Sequence, residues 1–345
     1  MNYGADTEDL VKRVIGLVLA GLGGFLLVLA PMLRFYAVPH LAKAPLAPGE
    51  DSGGLVQTVT EGTAAVLLDL PATLSSGKPV LHTDLPVVAN RFTRGDVMTA
   101  STPEAEADDL AVYDSFSRLA DDDENVLAAD TMRVAFDRTT AELADCCGAN
   151  VNGKDVAFSG INPLRFPFFV EKRTYEYFDA TVRQALPAKY AGEEDLFGMN
   201  AFVFVQIINP TEYAEVEVPG SLIGSKEESV VGERLYSNIR TLWVDPITGT
   251  LLKSHEQQKQ TLQVDGQVRM ILSQINIGAT DDEVQRVVAD TRASSTALRL
   301  IKSTIPLACL VLGIPVLAVG LMLTRRPEED YEYLAIPLEQ WAKRP

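Results

Sequence analysis

The chain has 345 residues, 47% of them hydrophobic, and a formal net charge of −17. A polyanion repels phosphate backbones and anionic headgroups, so nucleic acid is a poor partner and any contact with lipid has to be apolar. Three cysteines and three histidines are too few for a disulfide scaffold or a histidine-based metal centre to organise the fold.

Residues 1–13 carry three acids against Lys12 and Arg13 and read as a cytoplasmic tail. Residues 14–33 follow without a charged side chain, and residues 305–324 form a second uncharged stretch of the same length. A helix rises about 1.5 Å per residue, so each reaches roughly 30 Å, the thickness of a bilayer's hydrocarbon core. Lys12 and Arg13 precede the first span and Arg325 and Arg326 follow the second. The positive-inside rule then puts residues 325–345 in the cytoplasm as well and residues 34–304 outside the cell membrane. The acidic n-region, the long apolar stretch and the lack of a small-residue cleavage site argue against a cleaved signal peptide. Gly16, Ala20 and Gly24 make a small-residue ladder for close helix packing, and Pro315 should kink the second span. Neither span carries an ionisable group, so these two helices alone offer no ion pathway.

Residues 37–54, rich in Pro, Gly and Ala, read as a tether. Short β-type runs follow at 55–60, 63–70, 87–99, 126–137 and 201–208. Residues 233–277 read as a meander: Leu235, Ile239 and Trp243 share one strand parity, and Tyr236, Arg240 and Val244 the other. Asp245-Pro246-Ile247-Thr248-Gly249 supplies a turn with a glycine bulge, and Asp265-Gly266 a two-residue hairpin. Thr280 with Glu283 forms a capping box that opens a helix over about 281–304, running towards the second span. The fold class expected is a membrane-anchored α+β chain. Its extracytoplasmic domain is mostly antiparallel β, flanked by an N-terminal and a C-terminal transmembrane helix.

The search for chemistry is negative. No HExxH, nucleophile elbow, P-loop or dinucleotide fingerprint occurs in a soluble segment, so no catalytic residue, metal or cofactor is expected. The acids at 121–124 lack the calcium-loop spacing and read as a solvated loop. Cys309 lies in the second span. Adjacent Cys146 and Cys147 leave three alternatives open, a vicinal disulfide, two free thiols or an intermolecular link.

Two stretches carry a resemblance. One is Gly160-Ile161-Asn162-Pro163-Leu164-Arg165-Phe166-Pro167-Phe168 with Glu171-Lys172-Arg173-Thr174-Tyr175-Glu176-Tyr177-Phe178-Asp179 downstream, and the other is Asn238-Ile239-Arg240-Thr241-Leu242-Trp243-Val244-Asp245-Pro246-Ile247-Thr248-Gly249. With the two flanking spans they resemble an actinobacterial family of two-span envelope proteins, once of unknown function and now named PorA-family porins. The resemblance implies a cell-envelope protein of a mycolic-acid-type actinobacterium and transfers no catalytic residue.

Phe166, Phe168, Tyr175, Tyr177 and Phe178 stand either as core and rim aromatics or as a ligand-contacting set. Pro167, Asp179, Trp243, Asp245, Pro246 and Gly249 are structural. Because an open water pore needs a polar lining, the expected function is to bind or hand over envelope lipid, or to scaffold an envelope lipid transporter. A channel-forming porin is the alternative, and an envelope-modifying enzyme the second alternative. The partners expected are membrane lipid or glycolipid, that transporter, and further copies of the chain.

Overall fold

The computed structural model describes residues 3–49 and 54–325, so the cytoplasmic-tail expectation for 326–345 and residues 50–53 of the expected tether lie outside the described residues. The chain divides into two compact units. One holds the described residues up to Ala37 and from Ile301 onward; the other is Val38–Leu300.

The first unit is a pair of apolar helices, α1 (Tyr3–Pro31) and α7 (Ile305–Thr324). A π-helical stretch, Met32–Ala37, continues α1, and a second, Leu300–Thr304, precedes α7. Glycines let the two backbones touch: a Cβ added at Gly320 would strike the backbone of Ala20, and one at Gly23 the backbone of Leu317. Gly16 and Ala20 lie in this contact. Gly24 does not, since a Cβ there would meet nothing within 4 Å. Each residue advances the helix by about 100°, so a strict four-residue ladder drifts off the seam and the three-residue step to Gly23 restores it. Arg34 closes the pair by donating from Nη1 to the Lys302 carbonyl at 3.2 Å.

The second unit is built on twelve antiparallel strands. These are β1 (Leu55–Leu68), β2 (Leu81–Gly95), β3 (Leu110–Asp121), β4 (Val126–Asp137), β5 (Leu143–Ala144) and β6 (Asn150–Val151). They continue as β7 (Tyr175–Asp179), β8 (Gln184–Leu196), β9 (Met199–Pro219), β10 (Ser229–Val244), β11 (Leu251–Val264) and β12 (Gln267–Ala279). The sheet order is β5-β4-β3-β2-β1-β12-β11-β10-β9-β8-β7, with β6 on β4. The two edges are bridged at one end. Leu143 N donates to Gly160 O, Ile161 N to Glu176 O and Phe178 N back to Ile161 O. The sheet therefore curls into a half-barrel, which leaves fewer unpaired edge groups.

Local chemistry sets the details. Pro210 has no amide to donate within β9, and the register with β10 slips there, from Ile208 opposite Asn238 to Thr211 opposite Tyr236. Residues 38–49, expected as a free tether, lie against the sheet. Ala42 and Ala44 are buried, Ala44 N donates to Arg138 O, and Arg138 Nε donates back to Ala44 O. Small side chains let this backbone approach closely, so a Pro- and Ala-rich composition does not by itself mean a loose chain. Short helices α2 (Val38–Leu41), α3 (Leu70–Ser76), α4 (Val97–Ala100) and α5 (Pro103–Ala107) fill the connections. Helix α6 (Asp281–Arg299) is capped by Thr280, whose hydroxyl accepts from Glu283 N. The Glu283 carboxylate does not reach back to its cap; it accepts from Val59 N and Arg286 instead.

Candidate functional site

The two motif segments meet. Residues 162–170 run along the Asp245–Gly249 turn as an irregular strand, with Phe166 N donating to Gly249 O (2.8 Å), Phe169 N to Ile247 O (2.9 Å) and Val170 N to Pro246 O (2.9 Å). Gly249 has φ 74°, and a Cβ on it would drive into the Phe166 and Pro167 carbonyls. Glycine is required there for both reasons. Arg165 donates to Thr248 O at 2.8 Å and lies 4.4 Å from the Phe168 ring; burial pulls its guanidinium down to about 10. Asp245 holds the turn from inside, accepting from Thr248 N, Thr248 Oγ1 and, from α6, Ser295 Oγ.

This docking drives aromatic rings into the curl of the sheet. Phe166 is fully buried against Tyr175 (5.4 Å between centroids), Tyr177 (5.6 Å) and Phe204 (4.8 Å). Phe178 is fully buried in a separate cluster, against Phe158. Tyr177 Oη donates to Pro163 O, Tyr175 Oη accepts from Glu171 N, and burial pushes the Tyr177 phenol up to about 12. Trp243 is half-buried against the cluster that Val284 and Val288 of α6 form with Leu196, Met199, Ala201 and Leu252, and it donates to Glu194. These rings pack as two hydrophobic clusters, one around Phe166, Tyr175, Tyr177 and Phe204 and one around Phe178.

Beyond them lies a buried charge cluster that sequence reasoning missed. Arg240 donates to Asp179 (2.9 Å), Glu256 (3.1 Å) and Gln206 (2.7 Å). Gln206 donates in turn to the carbonyls of Tyr177 and Leu186, and Asn238 and Gln258 donate to Glu256. Asp179 also caps its turn by accepting from Thr181 N and Val182 N. Burial alone would weaken the Arg240 charge, but Glu256 and Asp179 outweigh it and raise its pKa well above the ordinary value. Burial likewise pushes the Glu256 carboxyl up; the Arg240 charge and the hydrogen bonds from Arg240, Gln258 and Asn238 win and hold it at about 2. The signal was present: Arg240 shares its strand face with Tyr236 and Val244, so a charge is aimed at the core. Its partners lie 61 and 16 residues away, beyond any local pattern.

Cys146 and Cys147 are disulfide-bonded between β5 and β6. The Cys147 carbonyl accepts from Arg133 Nε at 2.9 Å. Cys309 is buried in α7. Asp121 uses its carboxylate on Asp123 N, Asn125 N and the Asn125 amide, a self-contained turn.

The family model for porin PorA matches residues 15–322, which includes nearly all of the two uncharged spans, 14–33 and 305–324, and the whole half-barrel. The chain belongs to the porin PorA family. Two relatives bear the same name. A porin PorA of Corynebacterium resistens is 27% identical over 301 residues, covering 74% of this chain and 68% of that protein. One of Corynebacterium amycolatum is 24% identical over 306 residues, covering 72% and 77%. These matches overturn the expectation of a lipid-handing or scaffolding protein, because the family and both relatives are named as porins. The PorA name describes a channel rather than an enzyme, and with the two apolar helices it places the chain in a membrane or envelope.

Proposed function

We propose that this protein forms a water-filled channel in the cell envelope. Helices α1 and α7 cross the membrane, the half-barrel lies outside the cytoplasm and both tails lie inside. The observation that carries the reading is the porin PorA match, which extends over nearly all of both uncharged spans as well as the half-barrel. The length of the helices and the absence of charge from residues 14–33 and 305–324 support the two-pass arrangement. Two apolar helices cannot enclose water, so conduction requires several copies. The test is single-channel recording from purified full-length protein in planar bilayers. Stepwise conductance that scales with salt is expected, and a silent bilayer across protein concentrations would overturn the channel. A membrane-impermeant thiol reagent applied to intact cells should label Asp122→Cys and miss Lys12→Cys; the reverse pattern would overturn the orientation.

A further inference from the structure

The outward face of β1 to β4 carries an open groove of about 490 Å³ that neither the motif junction nor the charge cluster uses. Cross-strand register builds it in two rows. In one, Arg94 stands opposite Asp114, Asp114 opposite Arg133 and Arg133 opposite Asn150. In the next, Phe92 stands opposite Phe116. The two rings lie within 18° of parallel with centroids 6.4 Å apart, and Phe116 is 41% exposed. Together they make a stacked aromatic pair at the surface, Phe116 the more exposed of the two.

The polar row is unevenly held. Arg133 is locked by Asp114 (3.0 Å), Asp96 (2.6 Å), Thr99 Oγ1 and the Cys147 carbonyl. Arg94 has its side chain 69% exposed and comes no closer than 3.8 Å to Asp114, so its donors remain available. Two arginines balance Asp96 and Asp114, which leaves the groove neutral in a strongly acidic chain. A neutral site with a surface aromatic pair and an edge of fixed donors and acceptors suits a ligand with an apolar C–H face and hydroxyls around its rim. A sugar ring has that chemistry: its face covers the phenyl rings while its hydroxyls reach Arg94, Asp114 and Asn150. An anionic ligand would meet Asp114 and the chain's net negative charge, and an aliphatic one would strip water from the polar row without replacing its hydrogen bonds.

We propose that this groove binds a neutral soluble oligosaccharide. The site is separate from the channel reading and is tested separately. Full-length protein in detergent is titrated calorimetrically with maltotetraose, cellotetraose and linear tetrasaccharides of galactose and arabinose. At least one is expected to bind saturably, and Phe92→Ala and Phe116→Ala are each expected to weaken it at least tenfold. Phe116→Leu keeps apolar area but loses the flat face, and should fall with the alanine variants. Ile239→Ala, on the outward face of β10, should bind as the wild type does. Failure of all four sugars would overturn the proposal. So would undiminished binding by a Phe92→Ala/Phe116→Ala double variant with a wild-type circular dichroism spectrum.

Discussion

Replacing Arg240 with Met keeps the length of the side chain and removes its charge, leaving Asp179 and Glu256 without their shared cation. The magnitude follows from Glu256. Its carboxyl stands at about 2 against an ordinary 4.5, and at about 1.36 kcal/mol per pKa unit this is worth about 3 kcal/mol of folding stability at neutral pH. Breaking a buried pair by removing one partner typically costs about 3–5 kcal/mol, so the two routes agree. The sign of the pH dependence is the sharper test. In the wild type the Glu256 contribution is complete above about 4.5 and is lost as pH falls towards about 2. In the variant, burial is opposed only by the hydrogen bonds from Gln258 and Asn238, so the carboxyl rises well above its wild-type value and acid costs the variant less than it costs the wild type. The gap between the two proteins should therefore shrink by about 1 kcal/mol or more between pH 7 and pH 4. Urea unfolding of the full-length protein in detergent, followed by circular dichroism at both pH values, measures it. A gap below about 1 kcal/mol at pH 7, or one that does not change with pH, would refute the reasoning.

Three further outcomes follow from single contacts. Gly249→Ala should cost about 2–4 kcal/mol and lower the melting temperature, whereas Gly266→Ala, equally left-handed but facing open space, should cost about 1 kcal/mol. Gly320→Leu should slow disulfide formation between cysteines placed at Leu26 and Gly313 in a Cys309→Ser background, because it forces α1 and α7 apart; Gly24→Leu should leave the rate unchanged. Asp245→Ala removes the acceptor of Thr248 N, Thr248 Oγ1 and Ser295 Oγ, and should cost about 2 kcal/mol and raise amide hydrogen exchange in α6.

Much of the half-barrel was legible where turn chemistry is explicit. Asp265-Gly266 and the Asp-Pro-Ile-Thr-Gly turn delimit β10, β11 and β12 closely, and Thr280 marks the start of α6. Strand β3 was missed because its buried face mixes Ala111 and Tyr113 with Ser115, which blurs the apolar alternation that identifies a half-buried strand. Residues 55–60 and 63–70 looked like two runs because of Gly62, which in fact lies inside β1 under the backbone of Asn276, where no side chain fits. For the candidate site the motif residues were visible and their assembly was not. Only the fold shows that Phe166 docks on Gly249, or that Asp179 faces Arg240, since both contacts are long-range.

Under the channel reading, the two units carry different constraints on the assembly. The glycine seam between α1 and α7 is already filled, so each chain contributes its helices as a pair, and further contacts in the membrane must use faces lined by residues such as Leu17, Leu22, Phe25 and Ile314. Those side chains are as compatible with lipid as with one another, so they supply little drive to associate. With the half-barrel outside the membrane as proposed, copies repel one another there through the chain's net negative charge. Exposed charges are screened over about 10 Å at 0.1 M salt and about 30 Å at 0.01 M. Raising the salt therefore promotes assembly as well as carrying more current, and the frequency of channel openings should rise with ionic strength faster than the size of each step.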